Sequence, residues 1–281
     1  MDREYSKSAG SFSKAIAAEP GNAKAYYARG LAKQNMNDNT GAIKDFQKAI
    51  QLDPKMDRAY FSIGSIQLES KNYSEALKNF SKDLELRPDN ADTNFKIGET
   101  YHEMKSYANA SGFYQKAIAL NPRYYQAYFN LGLIEQTKKN YSESIVLFQK
   151  AAEIKNGDAA SYYEIGKASE GMGNGNQAIE YYEKAIANNP SYTNAYINLG
   201  RMYYNTKLYD KAVEQFRRAV ENSPKSAPAH YNLANAYREL KMYDEALEEY
   251  NITASLNPLD YKTYFDMGVV YKNKNMFEKS A

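Results

Sequence analysis

Seven of the eight prolines in this 281-residue chain, Pro20, Pro54, Pro88, Pro122, Pro190, Pro224 and Pro258, fall on one lattice with a period of 34 residues, and Asn156 fills the single missed slot. At a background of about 5% proline, six further hits on a lattice set by the first arise by chance on the order of once in 10^7 trials. A second lattice of the same period carries Gly30, Gly64, Gly98, Gly132, Gly166, Gly200, Ala234 and Gly268. A third holds small residues (Ser8, Ala42, Ala76, Ala110, Ser144, Ala178, Ala212, Ala246, Ser280), and a fourth holds rings (Phe12, Phe46, Phe80, Tyr114, Phe148, Tyr182, Phe216, Tyr250). Such a chain is a linear array of similar repeats.

The content of a repeat follows from helical spacing. Tyr196, Leu199, Gly200 and Tyr203 sit at i, i+3, i+4 and i+7, and Ala212, Phe216 and Ala219 at i, i+4 and i+7. Each repeat is therefore two amphipathic helices. Gly200 and Ala212 let the pair approach closely while the rings fill the space around them. Asn72 with Glu75, and Asn140 with Glu143, predict capping boxes at second-helix starts. Each lattice proline predicts the end of a second helix, because it cannot continue the hydrogen-bond ladder.

The spacing Tyr196, Leu199, Gly200, Tyr203, Ala212, Phe216, Ala219, Pro224 resembles the tetratricopeptide repeat, a 34-residue helix-turn-helix, and the resemblance covers essentially all 281 residues. It implies an all-α, right-handed α-solenoid whose first helices line a concave groove. The expected organisation is a single solenoid over 1–281, with 1–22 the second helix of an incomplete repeat. Seven full repeats follow at 23–56, 57–90, 91–124, 125–158, 159–192, 193–226 and 227–260, and 261–281 is an incomplete eighth. In that eighth repeat Lys262 to Asn273 reads as a first helix and Phe277 to Ala281 as the stub of a second.

The fifth repeat departs from the pattern. It lacks the preceding proline, and Gly171, Gly173 and Gly175 stand where other repeats carry a tight turn and a tyrosine. Glycine costs about 1 kcal/mol per helical site relative to alanine. The segment 155–176 is therefore predicted to be the loosest joint.

Composition removes most chemistry. Without cysteine there is no disulfide, thiol nucleophile or Cys-ligated metal, and two isolated histidines make no metal site. His230 replaces a core tyrosine and reads as a packing residue with a satisfied nitrogen, and His102 has no catalytic companion in the sequence. No nucleophile–base pair or phosphate loop is present, so the expectation is no enzyme, no catalytic residue, no metal and no cofactor. Thirty-six Lys and Arg against 34 Asp and Glu give a net charge of +2, which asks for no nucleic acid. No run reaches the roughly 18 apolar residues of a membrane span, and Met1 to Pro20 lacks a signal-peptide core. The chain reads as soluble, with the compartment open, the cytoplasm favoured, and a removed targeting segment left open.

The face opposite the core stripe gives the candidate site. In the sixth repeat it carries Asn194, Asn198, Arg201 and Asn205, and in the seventh Pro228, Asn232, Asn235 and Glu239, flanked by Arg238. An asparagine amide matches the alternating C=O and N–H of an extended peptide, and arginine forks a carboxylate. The pattern is similar to the asparagine ladder in the repeat domain of O-GlcNAc transferases, carried here by Asn130, Asn198 and Asn232. Glu164 interrupts it, and Ala28, Ser62, Lys96 and Asp266 occupy the equivalent slots. Asp92, Glu99 and Glu103 in the third repeat against Lys167, Arg201 and Arg238 in later ones suggest a face that changes charge along its length. A flanking row, Tyr27, Phe61, Phe95, Phe129, Tyr163, Tyr231 and Phe265, with Ile197 in the remaining slot, reads as sealing the core. It lacks the lysines of the carboxylate clamp in chaperone-binding members of the family, which argues against a chaperone C-terminus as ligand. The function expected is a non-catalytic scaffold that binds an extended partner segment. The alternatives are the targeting arm of a larger enzyme such as a glycosyltransferase, and head-to-tail self-association through unpaired terminal helices.

Overall fold

The computed structural model describes the backbone of residues 2–280 and the side chains of 4–275. Sixteen helices and no strand are present among the described residues. They group into two compact units, Met1–Ile134 and Glu135–Ala281. The first unit holds α1 (Asp2–Ala18), the pairs α2 (Ala23–Asn35) with α3 (Asn39–Leu52), α4 (Asp57–Glu69) with α5 (Tyr73–Leu86) and α6 (Ala91–Glu103) with α7 (Tyr107–Leu120), and most of α8 (Tyr125–Thr137). The second holds α9 (Tyr141–Ile154), the pairs α10 (Ala159–Gly171) with α11 (Gly175–Asn188), α12 (Thr193–Asn205) with α13 (Tyr209–Asn222) and α14 (Ala227–Glu239) with α15 (Tyr243–Leu256), and α16 (Tyr261–Ser280). Each unit is an all-α repeat solenoid.

One packing motif recurs in both units. A Cβ added at Gly30, Gly64, Gly98, Gly166 or Gly200 would stand 2.5–2.7 Å from a ring carbon of Phe46, Phe80, Tyr114, Tyr182 or Phe216 respectively. Those rings are fully buried, so only glycine leaves room for them. Ala42, Ala76, Ala110, Ala178, Ala212 and Ala246 are fully buried on the small-residue lattice. The flanking row seals the same rings: Tyr27–Phe46, Phe61–Phe80, Phe95–Tyr114, Tyr163–Tyr182 and Tyr231–Tyr250 lie 5.5–5.8 Å apart, centroid to centroid.

The punctuation differs from the sequence reading in three places. Second helices end two residues before each lattice slot, with an extended residue between, as a following proline requires. However, α9 stops at the same register before Asn156, where Gly157 (φ 74°) turns the chain instead. The predicted capping boxes do not form: neither Asn72 nor Asn140 caps through its side chain, and the Asn140 amide donates to Glu135 at 2.7 Å. Side-chain caps sit mainly on first helices, at Asn22, Asn90, Asp158 and Ser226, and Asp38 is the second-helix case. Finally, α16 runs unbroken to Ser280, through the expected turn, so no separate second-helix stub forms; the side chains beyond residue 275 lie outside the described ones.

Within each repeat the turn between helices passes through one left-handed residue: Asn37, Lys71, Lys105, Lys139, Gly173, Lys207 or Lys241, all at φ between 58° and 79°. Six of these are not glycine, and each carries a steric cost of about 1 kcal/mol. The fifth repeat uses glycine here. Its preceding junction is also pinned: buried Asp158 accepts from the Ser161 backbone N–H at 2.9 Å and hydroxyl at 2.7 Å, and pairs with Lys155 at 2.8 Å.

Candidate partner-binding face

The ring lattice changes chemistry where it carries tyrosine, because a phenol long enough to fill the core also pushes its hydroxyl out among the first helices. In the first unit the fully buried Tyr114 accepts from the Asn130 amide at 3.3 Å and lies 3.5 Å from His102 Nδ1. In the second unit Tyr182 donates to Glu170 at 2.9 Å and accepts from Asn198 at 3.4 Å. Arg201 joins these two, donating to Asn198 Oδ1 at 3.2 Å and reaching Glu170 at 3.4 Å, which closes a four-residue cycle. Asn198 also donates to the Tyr163 hydroxyl at 3.2 Å. Burial holds the Tyr114 and Tyr182 phenols far above their ordinary pKa, so both stay neutral donors and acceptors.

The seventh repeat repeats the theme. Tyr250 donates to Asn235 Oδ1 at 2.7 Å, and Tyr231 donates to Asp266. Arg238 lies between two carboxylates, Asp266 at 3.1 Å and Glu239 at 3.1 Å, and Tyr204 donates to Glu239 at 3.3 Å. The guanidinium is partly buried; desolvation works to lower its pKa, and surrounding phenols and carboxylates outweigh it and raise it.

The eight predicted residues therefore fall into two groups. Asn130, Asn198, Asn235 and Arg238 are held by tyrosines or carboxylates within their own unit. Arg201 is exposed while tied to Asn198 and Glu170, Asn194 and Asn205 are exposed, and Asn232 is half-buried with its amide turned back to the Pro228 carbonyl at 2.8 Å. Two of the three ladder asparagines, Asn130 and Asn198, follow a lattice tyrosine by 16 residues and solvate its hydroxyl. Asn232 follows Phe216, which has none.

The expected change of charge is largely cancelled by local pairing: Lys167 meets Glu164 at 2.8 Å, Arg201 meets Glu170, and Arg238 meets Asp266. In the third repeat Glu99 pairs with Lys96 at 2.7 Å, and Asp92 accepts from Tyr124 at 2.9 Å. His230 is buried, its nitrogens facing Glu249 and, at 3.0 Å, the Pro224 carbonyl, as a packing residue requires. No group of acidic or histidine side chains able to hold a metal occurs among the described residues.

The sequence reading missed a cleft. On the first-helix face of the first unit a cleft of about 490 Å³ opens beside α4, α6 and α8, with Glu69, Glu99, His102, Glu103, Tyr114 and Asn130 in its lining. Glu69 and Glu103 make no hydrogen bond or ion pair among the described residues. Acidic Glu99 and Glu103 and the ring at Tyr114 were visible separately; the cleft needs five helices and the turn at Lys71, which no single helical wheel shows.

Family models of the tetratricopeptide repeat match residues 23–56, 64–105, 91–124, 113–145, 163–227 and 216–248. No curated protein matches the sequence. Among solved structures the chain is similar to MamA, at 27% identity over 59% of this chain and 91% of that one, with a TM-score of 0.55. It is similar to YrrB, described as a TPR protein with an unusual peptide-binding site, at 24% identity over 66% and 96%, with a TM-score of 0.54. It is also similar to pilF of Pseudomonas aeruginosa, at 20% identity over 76% and 96%, with a TM-score of 0.64. Family models and fold agree on the lattices from which the argument began: this chain belongs to the tetratricopeptide repeat family.

Proposed function

We propose that the chain is a non-catalytic scaffold that holds an extended segment of a partner protein on its first-helix face. Tetratricopeptide repeat proteins are generally interaction scaffolds, and a site for peptide has been described on this fold in YrrB. The observation that carries the reading is the cleft beside α4, α6 and α8, whose Glu69 and Glu103 carboxylates keep their acceptors free. These suit backbone N–H groups or a basic side chain. In the second unit the exposed Asn194, Arg201 and Asn205 and the half-buried Asn232 are the groups available to a ligand. Asn198, Asn235 and Arg238 hold that face in position from beneath. No helix among the described residues is long and apolar enough to cross a membrane.

The test compares proteins captured by the parent with those captured by two variants verified as folded by circular dichroism. One is Glu69→Gln with Glu103→Gln, and the other is Asn194→Ala with Arg201→Ala, Asn205→Ala and Asn232→Ala. A partner bound by the parent and lost from either variant supports the face. Full retention of every partner by both overturns it.

A further inference from the structure

One junction in the second unit is hollowed out by two substitutions that fall together. The slot four residues before each lattice proline holds Ile16, Ile50, Leu84, Ile118, Ile186 and Val220, and Ala254 before Pro258. Between the fourth and fifth repeats the two slots read Ala152 and Asn156, so the bulky aliphatic and the proline are replaced at once. At the next junction Ile186 packs against the cluster of Tyr196, Ala219 and Ala229, with Pro190 following it. Here the smaller pair leaves a cleft of about 520 Å³ between α9, α10 and α11.

Two half-buried rings wall the cleft: Tyr162 of α10 and Tyr181 of α11, with centroids 6.2 Å apart and planes inclined at 36°. Gln149 of α9 fixes the second ring by donating to its hydroxyl at 3.3 Å, and the Lys184 ammonium stands 4.5 Å from its centroid. Lys184 is held there by Glu180 at 2.6 Å. The other polar groups have no such duty. The Tyr162 hydroxyl and the exposed Asn156 amide make no hydrogen bond among the described residues. The cleft therefore presents two ring faces with two free donors beside them, and a matching ligand is apolar between closely spaced acceptors. A polyproline II segment has that character. Its rings pack on aromatic side chains, and its carbonyls, which have no internal partners, accept from side-chain donors. A proline ring is also the group that this slot holds at seven other junctions of the chain.

We infer that the cleft between α9, α10 and α11 binds a proline-rich segment of a partner protein. One proline ring packs across Tyr162 and Tyr181 above Ala152, and the flanking carbonyls accept from the Tyr162 hydroxyl and the Asn156 amide. The site shares no residue with the cleft beside α4, α6 and α8 or with the polar face of α12 and α14, so it binds independently of either.

Calorimetric titration of the whole chain with a synthetic oligoproline peptide tests this, with a glycine–serine peptide of equal length as the control. The parent is expected to bind the first and not the second. Ala152→Leu with Asn156→Pro restores the pattern of the other repeats, and is expected to weaken oligoproline binding about tenfold or more without lowering the melting temperature. Proline fits the slot: the Asn156 N–H donates no backbone hydrogen bond, and Lys155 has ψ 83°, close to the 79° of Ser223 before Pro224. Tyr162→Phe keeps the ring and removes one donor, and is expected to weaken binding about fivefold at an unchanged melting temperature. The variant at Asn194, Arg201, Asn205 and Asn232 is expected to bind oligoproline as the parent does, whatever becomes of its own partners. A parent that binds neither peptide at millimolar concentration, or both equally, overturns the inference. Equal binding by the parent and the Ala152→Leu, Asn156→Pro variant also overturns it. Where that variant melts below the parent, the Tyr162→Phe titration decides, and undiminished affinity there overturns the inference.

Discussion

The fifth and sixth repeats share a backbone and differ in what fills it. Both have thirteen-residue first helices and fourteen-residue second helices. At the turn, however, the fifth has Gly171, Gly173 and Gly175 where the sixth has Asn205, Lys207 and Tyr209. By composition the fifth is the weaker. Its geometry says something more specific: Gly173 takes the left-handed turn at φ 79° without steric cost, while Lys207 takes it at 62° under strain. Gly171 lies under the Tyr141 ring, with a Cβ there only 2.6 Å from it. Only Gly175 is a plain loss, and the Met202 methyl group closes to 3.3 Å from where its Cβ would stand. A glycine's effect is thus set by what stands over it.

The comparison breaks first at the feature the two repeats share. Gly166→Val and Gly200→Val each drive a side chain into a buried ring and are expected to cost about 3 kcal/mol or more in urea denaturation. A large inequality between them would show that the fifth repeat relaxes where the sixth does not. Next, Gly171→Ala is expected to lose about 2 kcal/mol because Tyr141 must move, whereas Asn205→Ala, at an exposed site, stays within about 0.5 kcal/mol. Tyr182→Phe removes a hydroxyl that Phe216 never had. It is expected to cost about 1–2 kcal/mol by leaving Glu170 and Asn198 short of a partner. Amide exchange at 171–176 is expected to run about tenfold faster than at 205–210, since glycine gives up more backbone freedom on ordering. The smallest effect is a turn exchange: Lys207→Gly gains and Gly173→Lys loses up to about 1 kcal/mol, read from thermal melts.

Much of the fold was legible because packing imposes a strict period. Gly200 with Phe216 is a contact between residues 16 apart whose sizes must match, and the sequence displays the match in repeat after repeat. The turns were not legible. Lysine has no preference for left-handed backbone, so Lys71, Lys105, Lys139, Lys207 and Lys241 carry no local sign of it, and the conformation is imposed by the helices they join. The misplaced caps at Asn72 and Asn140 have a related cause, since those side chains follow such a turn and find other partners or none. On the candidate face, helical geometry placed Asn198 on the correct side of α12 but did not reveal that it is occupied. Its partners, Tyr182 and Tyr163, arrive from 16 and 35 residues away on two other helices.

The rings from the second full repeat onward run Phe80, Tyr114, Phe148, Tyr182, Phe216, Tyr250, so the ring type recurs every 68 residues although the backbone recurs every 34. Excising 193–226 would bring Asn232 beside the Tyr182 hydroxyl in place of Asn198, but would put Asn235 where Arg201 closes the cycle with Glu170. Excising 159–226 would instead set Asn232 after Phe148, a ring as silent as the Phe216 it left. A double step thus keeps the alternation of phenyl and phenol rings; a single step preserves the fold and rewrites the face.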